Sequence, residues 1–216
     1  MRTLVLAVAL LGAASTLGAQ QSDPDKQVTG GGQLPAGWHA RLDRPNAKME
    51  DLKFITMGKG LHATSGPAAI YWNAADHAKG SYTVQATFTQ TKAPMHPEAY
   101  GLFVGGQSLD SPNQSYLYYV VRGDGKYLLK HRAGSDVHTI TDWTESPALK
   151  KQDADGKATN TLAIDVTPTE VRFLANGTQV ASLPKSNPMA ATDGQAGIRV
   201  NHNLDVHIEG FKVVKK

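Results

Sequence analysis

"YLYYVVRGDGKYLLKHR", residues 116 to 132, decides how the rest of the chain is read. Two apolar runs, Tyr116 to Val121 and Tyr127 to Leu129, flank a Gly-Asp-Gly triplet. Asp-Gly between such runs is the strongest short-range signal for a β-hairpin. A two-residue turn at Asp124-Gly125 sets Val121 opposite Leu128, Tyr119 opposite Lys130 and Leu117 opposite Arg132. In that register Tyr118, Val120, Tyr127, Leu129 and His131 share one face. It is the more apolar face and is expected to be the core. The opposite face sets Tyr119 beside Lys130 and Arg132 and is expected to look outward.

The same pattern recurs on both sides of this hairpin. In "YTVQATF", residues 82 to 88, Tyr82, Val84, Ala86 and Phe88 alternate with polar residues, the mark of a half-buried strand. "YGLFVGG", residues 100 to 106, is a short buried run closed by two glycines, and "NTLAIDV", residues 160 to 166, alternates Leu162, Ile164 and Val166. "VRFLANGTQVASL", residues 171 to 183, is a second hairpin turning at Asn176-Gly177. In "GQAGIRVNHNLDVHIEGFKV", residues 194 to 213, Ile198 and Val200 precede Val206 and Ile208, and Phe211 and Val213 continue out of step. That change of parity at Gly210 reads as a β-bulge. Asn201-His202-Asn203 reads as the turn joining the last two strands, since Asn tolerates left-handed backbone. No window reads as a long amphipathic helix, and no fixed-period repeat is visible. The expected fold is all-β, two antiparallel sheets with one concave face, enclosing Tyr118, Leu129, Ile164 and Val200.

The first residues, "MRTLVLAVALLGAASTLGAQ", carry a positive residue, a short apolar run and small residues, with Ala19 at the cleavage position. This is the pattern of a secretory signal peptide, so the protein is expected to be exported, to the periplasm or beyond the cell. Residues 20–36 are polar and Gly-rich and are expected to be a flexible segment ahead of one β-sandwich domain at 37–216. No later stretch is apolar enough to span a membrane. Cysteine is absent, which excludes a disulfide framework or a lipidated cysteine anchor. The net charge is only +3, and no Lys/Arg run occurs beyond Lys215-Lys216, which argues against nucleic acid as a partner.

The stretches 160–184 and 194–213 resemble the concanavalin A-like lectin/glucanase superfamily. Within it they are most similar to bacterial secreted domains near the 3-keto-disaccharide hydrolases, a former domain of unknown function, and to laminin-G-like domains. The matching features are the Asn176-Gly177 hairpin, the Gly194-Gln195-Ala196-Gly197 turn, and Glu209-Gly210-Phe211-Lys212-Val213 where the family reads D-N-F-x-V. The resemblance implies a jelly roll. No cofactor is expected from the residues themselves; the resemblance alone offers a Ca²⁺ candidate, held through the acid before the final Phe, here Glu209.

Glucanases of that superfamily cut with alternating carboxylates, E-x-D-x-E, on one strand face. No such motif occurs, nor the Gly-Glu-Trp-Asn stretch expected of the keto-disaccharide hydrolases, nor a G-x-S-x-G elbow. The eight histidines include no H-E-x-x-H and no close pair. His202 and His207 would approach, with Asp205 between them, if the last two strands formed a hairpin. The loop "QTKAPMHPEAYG", residues 90 to 101, is stiffened by Pro94 and Pro97 and offers His96 and Glu98 as a candidate acid/base pair. Trp38 and Trp143 are expected to fill or seal the core.

A curved sheet showing Tyr119, Lys130, Arg132, Arg199 and Asn201, with Tyr100 and Trp72 near it, would suit a polyhydroxylated ligand. Rings would meet the apolar face of a sugar and the forked donors its hydroxyls. The cations hint at an acidic sugar. The leading expectation is non-catalytic binding of a carbohydrate or similar polar ligand. The alternatives are a glycan-active hydrolase built on His96 and Glu98, and a structural or protein-interaction module.

Overall fold

The computed structural model describes residues 23–216, so the expected signal peptide, 1–19, lies outside the described residues. Fourteen strands build two seven-stranded antiparallel sheets packed face to face, a jelly-roll β-sandwich. In chain order they are β1 (Trp38–Leu42), β2 (Leu52–Met57), β3 (Gly60–Ser65), β4 (Ala69–Ala78), β5 (Tyr82–Gln90), β6 (Ala99–Gln107) and β7 (Ser115–Arg122). They continue with β8 (Lys126–Ala133), β9 (Asp136–Glu145), β10 (Ala158–Val166), β11 (Glu170–Ala175), β12 (Thr178–Pro184), β13 (Gly194–Val200) and β14 (Asp205–Lys215). The front sheet runs β1-β4-β13-β6-β7-β8-β9, and the back sheet β12-β11-β10-β5-β14-β3-β2. Among the described residues no helix is long and apolar enough to cross a membrane.

The back sheet obeys simple alternation. Val84, Phe88, Leu162, Ile164, Phe173, Val206 and Ile208 point into the sandwich. The other face of β5 and β10 is polar, with Thr87 bonded to Thr161 (2.8 Å) and Thr89 to Thr159 (2.9 Å). β14 slips register between Glu209 and Lys212, where Gly210 has φ +62°. The bulge lets Phe211 and Val213 face inward, which is why the apolar parity changes there.

The front sheet is apolar on both faces. Tyr71, Tyr100, Leu102, Leu117, Tyr119, Val121, Leu129, Ile198 and Val200 face the back sheet. A second buried cluster, Ile70, Trp72, Ala99, Phe103, Leu109, Tyr116, Tyr118, Val120 and Leu128, covers the outer face. Strands buried on both sides read as continuous apolar runs, so periodicity alone does not say which side is inside.

The β7–β8 hairpin settles it, and it differs from the expected one. Val121 pairs with Tyr127, Tyr119 with Leu129, Tyr118 with Lys130 and Leu117 with His131. The connection is Gly123 to Gly125, closed by Gly125 N–H donating to the Arg122 carbonyl (3.1 Å), with Gly125 at φ +85°. A three-residue turn with a left-handed glycine, not a two-residue turn, joins the strands. One residue of slip turns β7 over. Tyr119 therefore packs on Phe173 in the core, 5.6 Å between ring centres, and is not on the open face. Tyr118, expected in the core, lies on the outer face with Val120. Leu129, Ile164 and Val200 occupy the core as expected.

Two further corrections concern the ends of the chain. β13 and β14 form no hairpin: they belong to different sheets, and Asn201-His202-Asn203 crosses between the layers with Asn203 at φ +56°. The segment expected to be flexible is tied down from Asp23 onward. Lys26 N–H donates to Asn203 Oδ1 (2.8 Å), Asn203 Nδ2 donates to Asp23 Oδ1 and the Pro24 carbonyl (both 2.9 Å), Gly32 N–H bonds the Leu52 carbonyl (2.9 Å), and Leu34 packs on the core.

The register makes a direct prediction. Tyr119→Ala should destabilise the fold by about 3–5 kcal/mol, the cost of deleting a buried aromatic ring. Tyr119→Phe should be neutral or stabilising, because the buried hydroxyl has no hydrogen-bond partner among the described residues. Denaturant unfolding of the two variants checks both values.

Candidate functional site

The outer face of the front sheet hollows into a cleft of about 310 Å³ lined by Pro97, Glu98, Tyr118, Val120, Arg122, Leu128, Lys130, Trp143, Arg199 and Asn201. Each wall follows from strand pairing. Tyr118 lies opposite Lys130, and Val120 opposite Leu128, across β7–β8. Arg122 sits opposite Ala99 on β6, directly after Glu98. Asn201 N–H donates to the Ala99 carbonyl (2.8 Å), which brings the end of β13 to the same corner. Trp143 comes from the exposed edge strand β9, with the Arg122 guanidinium over its ring at 4.2 Å.

The base of the cleft is ionic. Arg199, 6% exposed, lies over the Tyr118 ring at 4.9 Å and grips Asp43 in a two-pronged bond (3.0 and 2.6 Å), with Tyr116 Oη at 3.3 Å from the same guanidinium. Arg132 reaches the same carboxylate at 3.5 Å. Burial by itself would raise the Asp43 pKa, but the charges of Arg199, Arg132 and Arg41 and the Arg199 hydrogen bond hold it below the ordinary carboxylate value. Burial raises the Tyr118 phenol, against the pull of Arg199.

Glu98 is positioned on both of its oxygens. Asn201 Nδ2 donates to Oε2 (3.1 Å), and His202 Nε2 meets Oε1 at 2.7 Å. The other nitrogen of His202 lies 3.3 Å from Asp25 Oδ1, and Asp25 is also paired with Arg44. A neutral imidazole can donate to only one of these carboxylates, whereas an imidazolium donates to both. The polar knot thus clamps the N-terminal segment with Asn203 and sets a cleft carboxylate with Asn201 and His202.

The structure sorts the expected site residues. Lys130, Arg199 and Asn201 line the cleft, and Arg132 stands behind it on Asp43. Tyr100 and Tyr119 point the other way, into the core. Tyr100 packs on Phe88, and burial pushes its phenol up to about 12. Trp72 is on the outer face but stacks on His39 at 5.5 Å, away from the cleft lining, while Tyr71 turns inward onto Phe54. Glu98 lies in the cleft but His96 does not join it: His96 is exposed on the loop, and the imidazole at Glu98 is His202. His202 and His207 are not brought together. His207 faces outward on the back sheet, 6.0 Å from His62 between ring centres and 3.7 Å from Glu209.

Glu209 does not fit the implied calcium. It is exposed, and its charged neighbour is an imidazole nitrogen where Ca²⁺ requires oxygen ligands. Among the described residues no three His, Asp or Glu gather closely enough to hold a metal ion.

Tyr118, Arg122, Trp143 and Asp43 were missed by sequence reasoning. Tyr118 was hidden by the register. Trp143 had a usable signal: it stands in "DVHTITDWTE", a mostly polar strand whose residues are exposed or only partly buried. A larger hollow of about 690 Å³ opens at one end of the sandwich beside Gly80, Thr167, Lys185 and Asp193. Its Lys185 ammonium is already spent on Thr192 Oγ1 (2.5 Å) and the Ala190 carbonyl (3.1 Å).

No known protein family's profile matches the chain, and no curated protein is similar to it in sequence. Solved structures show the fold. A carbohydrate-binding module of family 66 from Bacillus subtilis superposes with a TM-score of 0.60 at 12% identity, covering 83% of this chain and 96% of its own. A Bacteroides ovatus glycoside hydrolase of family 16, from a mixed-linkage glucan utilisation locus and bound to its product, gives 0.56 at 7% identity, covering 82% and 94%. Alginate lyase A1-II′ gives 0.55 at 12% identity, covering 83% and 95%. The chain shares the jelly-roll β-sandwich fold of these proteins. That fold carries binding modules, hydrolases and lyases alike, so function must be argued from the cleft.

Two outcomes are expected here. Asp43→Asn should cost about 3 kcal/mol and lower the melting temperature by several degrees, because Arg199 is left buried without its counter-charge. Since the folded-state pKa of Asp43 is depressed, its stabilisation is present above the unfolded carboxylate range and lost as pH falls through the folded value. The wild type should therefore lose stability in acid, and the Asn variant should lack that component in a melting series over pH 2 to 7. Asn203→Ala should speed hydrogen exchange across residues 23–35 while β5 and β10 stay protected.

Proposed function

We propose that this protein is an exported, non-catalytic module that binds a saccharide in the front-sheet cleft. The observation that carries the reading is the convergence in one cleft of two aromatic rings, Tyr118 and Trp143, with Arg122, Lys130, Arg199 and Asn201. Aromatic rings offer area to the C–H face of a sugar, and forked donors take its hydroxyls. The rings are held in advance by stacked guanidinium groups, so little ordering is required on binding. The carbohydrate-binding module among the structural relatives supports the same reading, and the leader-like first residues support export.

Catalysis is the lesser reading. Hydrolysis of a glycosidic bond uses two carboxyl groups flanking the bond. Glu98 is the one carboxylate in the cleft lining, and Asp43 behind it is committed to arginines. What favours a catalytic role is the Glu98–His202 contact, which would orient a proton-transfer group.

A glycan array probed with the purified protein and with Trp143→Ala tests this. The expected result is saccharide binding that the variant weakens roughly tenfold or more, as truncating an aromatic anchor does. Far-UV dichroism should be unchanged. Binding that survives Trp143→Ala moves the site elsewhere, and a blank array favours a protein-interaction module.

A further inference from the structure

The cleft is lopsided in charge. Its lining holds three cations, Arg122, Lys130 and Arg199, against one carboxylate, Glu98. The cations are not equally engaged. Arg199 is spent on Asp43. Arg122 uses its Nε and one terminal nitrogen on Asp124, leaving the other terminal nitrogen unengaged above Trp143. Lys130 has no carboxylate partner among the described residues and is half-buried opposite Tyr118. Both oxygens of the single acid are engaged, one by Asn201 and one by His202. Arg132 and Arg41 add further positive charge behind the wall, with Asp43 as their shared counter-ion.

A lysine in a cleft wall whose ammonium has no carboxylate partner is free to take one from a ligand. A neutral sugar offers it only hydroxyls. An anion offers more, a charge-assisted bond in a site where water is partly excluded. We therefore infer that the cleft selects an acidic saccharide, its anionic group seated between Lys130 and the free edge of Arg122 and its ring against Trp143 and Tyr118. This rests on the saccharide reading above and narrows it to a substrate class. A carboxylate sugar and a sulfated sugar share the required chemistry. The free Arg122 nitrogen and the Lys130 ammonium can each donate to one oxygen of a planar carboxylate, and the experiment separates the two.

Isothermal titration of the purified protein with three hexasaccharides of matched length decides it: an oligogalacturonate, a sulfated galactan fragment and a neutral cello-oligosaccharide. The expected order is oligogalacturonate tightest, with affinity falling as NaCl is raised from 50 to 300 mM. Lys130→Ala should weaken the acidic ligand about tenfold or more, the scale of a lost charged hydrogen bond. Lys130→Arg should recover most of that loss, and the melting temperature of both variants should stay near wild type. Preference for the sulfated fragment assigns the seat to sulfate and overturns the carboxylate geometry. Equal or tighter binding of the neutral sugar, indifferent to salt and to Lys130, overturns the inference while leaving the saccharide reading intact. Absence of binding by all three overturns both.

Discussion

The structure depends on one turn. Gly125, at φ +85°, closes a three-residue connection between β7 and β8 and so fixes which side of each strand is inside. Every residue of the proposed site on these strands inherits its direction from that register. With a turn one residue shorter, Tyr119 would look out and Tyr118 in, and the cleft would lose a wall. A residue with a Cβ at position 125 would be strained in this backbone region.

What makes the turn so consequential is that β6, β7 and β8 are apolar on both faces. Most sandwich strands advertise their inner face through alternation, as β5 and β10 do here. The front sheet instead buries a second cluster beneath loops and the Arg199–Asp43 pair. Such a pair has a desolvation cost, and a shape-matched apolar pair would often hold the fold as well. Its effect at this place is to carry charge to the floor of a cleft that is otherwise aromatic. The Tyr118 and Trp143 rings then lie under guanidinium groups, and the face becomes polarised without becoming wet throughout.

The knot at 201–203 shows the same coupling of architecture to chemistry. A segment that merely carries the chain from one sheet to the other also ties down the N-terminal residues through Asn203 and sets Glu98 through Asn201 and His202. Crossing points between layers are where distant parts of the chain converge, so polar residues there acquire partners that lie more than a hundred positions away. Asn203 and Lys26 are one such pair.

The amino-acid order determined the layers. Alternation in 82–88 and 160–166, the turns at Asn176-Gly177 and near Asp124-Gly125, and the parity change at Gly210 follow from local sterics and from period-two burial. These features sufficed for an all-β sandwich and for Leu129, Ile164 and Val200 in its core. They also placed Lys130, Arg199 and Asn201 on the open face. Only the tertiary structure decided that Tyr118 rather than Tyr119 meets the cleft, that His202 rather than His96 attends Glu98, and that Asp43 gathers arginines from three strands. Each of those outcomes depends on register or on contacts between remote segments. Such relations are properties of the packed chain, and no local window of residues encodes them.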